Sequence, residues 1–222
     1  MKKILISTIL ASTLTSSFLV ADDSKVSVSA NMAMTSNYLW RGMTQTDNAP
    51  AIQGGVDVEY NGFYLGTWGS NISWTNDNDS SIEVDIYAGY ANKFATIDYD
   101  IGYIRYAYPK VQDDNNFDEV YLSLGKDFSL GNINLKYSKA VDVPSGADKL
   151  YDIEGIYSTT LSQDIGLSLM YGKYEDTGKR AGITLSKTYG KFDISLSYVD
   201  FQHDSDSSLD EDNVVVTVST SF

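Results

Sequence analysis

Polar and apolar residues take turns along most of this chain, with a period of two rather than 3.6. In Ile82-Glu83-Val84-Asp85-Ile86-Tyr87-Ala88-Gly89-Tyr90, one face carries Ile82, Val84, Ile86, Ala88 and Tyr90. The other carries Glu83, Asp85, Tyr87 and Gly89. The same rhythm runs through Val56–Glu59, Val120–Gly125, Ile133–Ser138, Ile165–Tyr171, Phe192–Tyr198 and Val214–Phe222. A strand turns successive side chains to opposite sides, so each stretch predicts a two-faced strand. No stretch has the apolar spacing of a long helix.

Twelve strands are predicted, near 25–38, 51–60, 63–74, 82–91, 96–108, 118–128, 132–141, 151–161, 165–174, 180–189, 191–201 and 213–222. Their connections alternate in length. Short ones fall at Asn61-Gly62, Asn92–Ala95, Ser129–Gly131, Ser162–Asp164 and Gly190. Asn-Gly between two strands is a two-residue hairpin signal. Long, polar ones fall at 39–50, 75–81, 109–117, 142–150, 175–179 and 202–212, and they hold many of the acids, among them Asp77, Asp79, Asp113, Asp114, Asp204, Asp206, Asp210 and Asp212.

An even strand count, short turns at one end, long loops at the other and both termini on the short-turn side predict an all-β fold. It is a closed, antiparallel, transmembrane β-barrel of twelve strands. Hydrocarbon offers no hydrogen-bond partner to an open sheet edge, so such a sheet must close. About 9–11 tilted residues suffice for each crossing. Aromatics near the strand ends fit two interfacial girdles. Tyr38, Trp40, Trp74, Tyr108, Tyr174 and Phe201 lie at the long-loop end. Tyr60, Phe63, Phe94, Phe128, Tyr189, Phe192 and Phe222 lie at the short-turn end. A secreted soluble β-sandwich is the rival, but it gives no reason for the loop rhythm or the aromatic ends.

Composition adjusts this picture. The 222 residues are 42% hydrophobic, an ordinary value that strands with one polar face should give. The net charge of −14 makes nucleic acid a poor partner, because phosphate contacts need Lys and Arg. With no Cys there are no disulfides, Cys-based zinc sites or Cys nucleophile. The one His, His203, sits among Ser205, Ser207 and Ser208 in the last long loop, a stretch read as solvated loop rather than hydrolase centre. The loop acids lack EF-hand spacing. No enzymatic activity, catalytic residue, cofactor or metal site is expected.

Residues 1–21 read as a signal peptide, from Lys2 and Lys3 through an apolar stretch to Ala21, leaving 22–222 as the barrel domain. Phe222 closes an alternating strand and resembles the C-terminal signal recognised by outer-membrane assembly machinery. These features predict the outer membrane of a Gram-negative bacterium, with both termini periplasmic. Lipid and lipopolysaccharide would surround a monomer or small homo-oligomer.

In such a barrel the apolar faces meet lipid and the polar faces meet the lumen. The alternation assigns Asp57, Glu59, Glu83, Asp85, Asp98, Asp100, Asp152, Glu154 and Asp193 to the lumen. Lys136 shares that side, and Arg180 and Lys187 are candidates for it. A carboxylate-lined passage concentrates cations and repels anions. Arg105 shares parity with Ile101 and Tyr103, out of phase unless a bulge intervenes. Arg41, at the start of the first long loop, could fold inward onto Asp57 or Glu59, as a constriction residue or as a clamp for the loop.

The segment from Thr35-Ser36-Asn37-Tyr38-Leu39-Trp40-Arg41-Gly42-Met43-Thr44-Gln45-Thr46 through Pro50–Asp57 and Gly62–Asn71 resembles the TorF-type porin family of bacteria, formerly called conserved hypothetical proteins. Further likenesses are Glu83–Tyr90, Asp100-Ile101-Gly102-Tyr103, Asp118–Tyr121 and Phe192–Asp200. Met43-Thr44 departs from the more usual Val-Ser or Ile-Ser. The resemblance implies an outer-membrane barrel, suggests transport, and brings no catalytic or cofactor residues. The expected function is a channel for passive diffusion of small hydrophilic solutes or ions, with cation preference. The alternative is an occluded structural or ligand-binding barrel without an open pore.

Overall fold

The computed structural model describes residues 26–73, 80–109 and 115–222. The expected leader at 1–21, Trp74, Asp77–Asp79 and Asp113–Asp114 lie outside the described residues.

Twelve long strands build the wall: β1 (Ser27–Thr35), β4 (Ala51–Tyr60), β5 (Phe63–Asn71), β6 (Ile82–Phe94), β7 (Ile97–Ala107), β8 (Phe117–Phe128), β9 (Gly131–Asp142), β10 (Tyr151–Thr160), β11 (Gly166–Tyr174), β12 (Gly178–Tyr189), β13 (Phe192–His203) and β14 (Glu211–Ser221). Two short strands, β2 (Leu39–Trp40) and β3 (Met43–Thr44), form a separate hairpin within the first long connection. From β4 to β14 each wall strand pairs antiparallel with the next, and β1 closes the ring between β4 and β14. The seam runs from Thr35 opposite Thr217 to Asn31 opposite Ser221. Reciprocal backbone bonds between Ala30 and Phe222, at 3.2 and 2.8 Å, extend it. The expected twelve-stranded closed barrel is the observed fold, and ring closure excludes the sandwich.

Local chemistry sets the hairpins. Asn61 and Gly62 have φ of 51° and 81°, the left-handed pair that a tight two-residue turn requires. Outside the wall stand the apolar halves of the alternation. Val58, Leu65, Ile86, Ile101, Leu122, Leu135, Leu169, Leu185, Leu196 and Val216 are exposed and form the lipid-facing belt.

The short-turn girdle is as expected: Phe94 is 78% and Phe222 74% exposed, and Tyr60, Phe63, Phe128, Tyr189 and Phe192 are exposed as well. The long-loop girdle is not. Tyr38 is 2% and Phe201 1% exposed, Tyr108 is buried, and Trp40 and Tyr174 are partly buried. Parity explains this. Phe201 follows Ser197 and Val199 on the inward face, and Tyr108 follows Ile104 and Tyr106. The outward aromatics of that half are instead Tyr103, Tyr137, Tyr171 and Tyr198, all exposed. Tyr103 and Tyr198 donate to Asp118 at 2.5 Å and Asp212 at 2.6 Å, each keeping a polar tip outward as interfacial aromatics do.

Two further expectations need correction. Lys187 faces outward with Ile183 and Leu185 and lies over the Tyr189 ring. Arg105 needs no bulge: it also faces outward, paired with Asp118 at 3.0 Å near the long-loop rim. The irregularity lies in the next ladder, between Asp118 and Glu119.

Leu135 lies on the exposed belt of β9, beside Leu124 and Gly155. Leu135→Arg should lower unfolding free energy in lipid vesicles by about 2–4 kcal/mol. Equilibrium urea denaturation in vesicles measures this, and an unchanged midpoint would contradict a lipid-facing belt.

Candidate functional site

Inside the barrel the sequence departs from its own rule. Most inward positions are polar, yet Ile156, Met170, Val199 and Val215 also point inward and are buried. What covers them is the first long connection. Leu39 of the β2–β3 hairpin forms one buried apolar cluster with them. The hairpin therefore enters the bore instead of standing outside it.

Its tip is Arg41-Gly42, between the facing pairs Leu39–Thr44 and Trp40–Met43. Both residues are left-handed, with φ of 52° and 90°. Gly42 is needed twice over. Its φ disfavours any other residue, and a Cβ there would approach the Cβ atoms of Arg180 and Phe201 to 3.2 Å.

Asn37 ties the base of the hairpin to the wall. Its amide nitrogen donates to Asn48 Oδ1 at 3.0 Å and Asn213 Oδ1 at 2.9 Å, and its oxygen accepts from Thr44 at 2.7 Å and Thr46 at 3.0 Å. Tyr38 donates to Glu83 at 2.7 Å. Burial and then the charges of Glu83 and Asp85 raise the Tyr38 pKa well above its ordinary value, so the phenol keeps the proton it donates. Trp40 meets Tyr106, Phe117 and Tyr174 edge to face.

Arg41 closes the far side. Its Nη2 donates to both oxygens of Glu119, at 2.8 and 2.9 Å, and its Nε lies 3.6 Å from Asp152. The guanidinium carbon lies over the Trp40 and Tyr174 rings, 4.2 and 4.5 Å from their centres. Burial alone would lower the Arg41 pKa; the charges of Glu119 and Asp152 outweigh it and raise it, so the side chain stays cationic.

A second arginine completes the group. Arg180 forms a two-pronged pair with Asp152, at 2.6 and 2.9 Å, and also donates to Glu154 at 2.7 Å. Glu154, Gly172 and Arg180 are in register across β10, β11 and β12. A Cβ on Gly172 would sit 2.4 Å from the Arg180 guanidinium carbon, so glycine lets Arg180 lie across β11 to reach both acids. Lys136 neighbours Glu154 on β9, with its ammonium 4.4 Å from the Tyr121 ring centre. Between these groups lies a cavity of about 20 Å³, lined by Trp40, Arg41, Tyr106, Lys136, Asp152 and Arg180 among others.

The expected lumen residues fall into two sets. Arg41, Asp152 and Glu154 meet in the cluster just described, with Glu83 and Asp85 across the hairpin on β6. Asp57, Glu59, Asp98, Asp100 and Asp193 also occupy inward positions, nearer the short turns. Asp57 accepts from Tyr87 at 2.5 Å and Asp100 from Tyr64 at 2.6 Å; Asp98 pairs with Lys93, and Asp193 accepts from Thr188. Arg41 does fold inward, but onto Glu119 and Asp152 rather than Asp57 or Glu59. Glu119 was missed, although it shares parity with the inward Tyr121.

Outside the bore the loop acids serve their own backbone. Asp206 accepts from the Ser208 hydroxyl and N–H, bonds that hold its carboxyl below the usual range. His203 Nδ1 accepts backbone N–H groups of Ser205 and Asp206. Among the described residues, no group of three or more His, Cys, Asp or Glu side chains is placed to hold a metal.

A closed ring, a lipid-facing belt and a loop folded into a polar bore define a transmembrane β-barrel with the fold of outer-membrane porins. The chain belongs to the Gcw_chp family, described as bacterial protein of unknown function, whose profile matches residues 20–222. The solved structure titled KdgM porin is similar over 88% of this chain and 98% of its own, with a TM-score of 0.59 at 16% identity. The NanC porin is similar over 87% and 99%, with a TM-score of 0.57 at 12% identity. Outer membrane phospholipase A from Escherichia coli reaches a TM-score of 0.50 at 16% identity, over 86% and 89%. At these identities the likeness is one of fold. No curated protein sequence matches the chain.

Arg180→Met should cost about 3–5 kcal/mol of stability, because Asp152 and Glu154 would stay buried without their partner. Adding Asp152→Asn and Glu154→Gln should recover most of the loss. Thermal unfolding in detergent reads both, and an additive outcome would contradict the pairing.

Proposed function

We propose that this barrel is a porin-like channel for passive diffusion of small hydrophilic solutes or ions, with preference for cations. The observation that carries the reading is the charge of the bore. Arg41, Arg180 and Lys136 are set against Glu119, Asp152 and Glu154, so that cluster is locally balanced. Asp57, Glu59, Glu83, Asp85 and Asp100 remain on inward positions without a cation in contact among the described ion pairs. Such a surplus concentrates cations in a low-dielectric passage. The hairpin narrows the bore, so the solutes are small.

The reading includes an outer-membrane location in a Gram-negative bacterium, with the short turns and both termini periplasmic. Residues 1–21 act as a removable leader before a barrel domain of 22–222, and Phe222 is offered to the assembly machinery. The surroundings are lipid and lipopolysaccharide, and the unit is a monomer or small homo-oligomer. Resemblance to the TorF-type family and the fold of the KdgM and NanC porins support a channel. No chemical step is required. A second reading, an occluded structural or ligand-binding barrel, draws on the burial of the hairpin that spans the bore.

Reversal potentials across a planar bilayer under a potassium chloride gradient test the selectivity. Cation preference is expected, and Asp57→Asn with Glu59→Gln should reduce it. Anion preference in the native channel would overturn the sign of the field.

A further inference from the structure

The cavity at the hairpin tip is unusual in its hydrogen-bonding balance. Arg41 is 5% and Arg180 3% exposed. Arg41 Nη1 and Arg180 Nε find no acceptor among the described residues, and both side chains line the cavity. The nearby acceptors are largely used. Arg41 takes both oxygens of Glu119, and Arg180 takes both of Asp152 and one of Glu154. Lys136 adds a third cationic donor to the lining. The wall thus sets three cationic donors against two carboxylates, Asp152 and Glu154, with Ser138 and Tyr106 beside them.

A buried carboxylate in this position could escape its difficulty by taking a proton. An arginine cannot, because it stays protonated at any relevant pH. An unmet guanidinium N–H is satisfied only by an acceptor from outside the chain. The volume, about 20 Å³, holds one atom-sized particle. A group that only accepts hydrogen bonds, and carries the negative charge that a lining of three cations against two carboxylates favours, fits the two unmet N–H groups.

We infer that this cavity is a binding site for a small anion, either a halide or one oxygen of a solute carboxylate reaching in from the bore. Arg41 Nη1 and Arg180 Nε are its hydrogen-bond donors, and Lys136 contributes charge. The cluster stands at three cations to three carboxylates, so a bound anion leaves it net negative. A resident anion would therefore strengthen the acidic field of the bore. The site itself does not depend on whether the barrel conducts.

Crystals of the full barrel grown in sodium bromide, and others in sodium bromoacetate, test the site by anomalous scattering at the bromine edge. A bromide peak within hydrogen-bond distance of Arg41 Nη1 and Arg180 Nε is the expected result, and it identifies the halide form. With bromoacetate, a carboxylate oxygen in the cavity and the bromine towards the bore identifies the carboxylate form. A water alone in both crystals overturns the inference. Lys136→Met leaves both arginine pairs in place and should bind bromide about tenfold more weakly, the scale of a lost charged interaction; equal occupancy at matched bromide would remove Lys136 from the site. Bromide bound in a barrel that passes no current would uphold this inference while ending the channel reading.

Discussion

The pairing of Arg41 with Glu119 and Asp152 decides the shape of the bore. Glu119 is buried, and both its oxygens are taken by one guanidinium nitrogen. Withdrawing the loop would break that two-pronged bond and the contact of Arg41 with Asp152. The hairpin therefore has one favoured place, across the lumen. Leu39 in its apolar seat and Asn37 in its polar one hold it from two further sides. The tight turn at Arg41-Gly42 makes the tip slim enough to reach between Arg180 and Phe201.

The same alternation serves two solvents at once. Each wall strand gives its apolar side to lipid and its polar side to the lumen, which is why an ordinary overall hydrophobicity accompanies a membrane protein. The four inward apolar residues clustered with Leu39, and Ile104 in the cluster that holds Tyr38, break the pattern, and both places are covered. Departures from the local rule thus mark the docking of the loop. The acids nearer the short turns follow the rule, and Asp98 among them pairs with Lys93.

The strands and their pairing were legible because a period of two and the short–long loop rhythm are local signals. Asp152, Glu154, Lys136 and Arg180 could be placed inward by counting alone. Glu119 could have been: it shares parity with Tyr121, but Asp118 before it faces out and the ladder shifts between them. Strand-end position points the long-loop aromatics to the interface, but parity turns Tyr108 and Phe201 inward. The direction of the first loop was not legible. Its seat is assembled from residues far along the chain, such as Asn213, 176 positions from Asn37.

The conductance of single barrels in a planar bilayer, compared between the native chain and Arg41→Ala, reads the hold of the hairpin on the bore most directly. A small, steady conductance is expected of the native protein, with a larger one in the variant as the hairpin loses its hold. Equal conductance and selectivity in the two would contradict a bore set by the Arg41 latch, and no conductance from either would contradict a channel altogether.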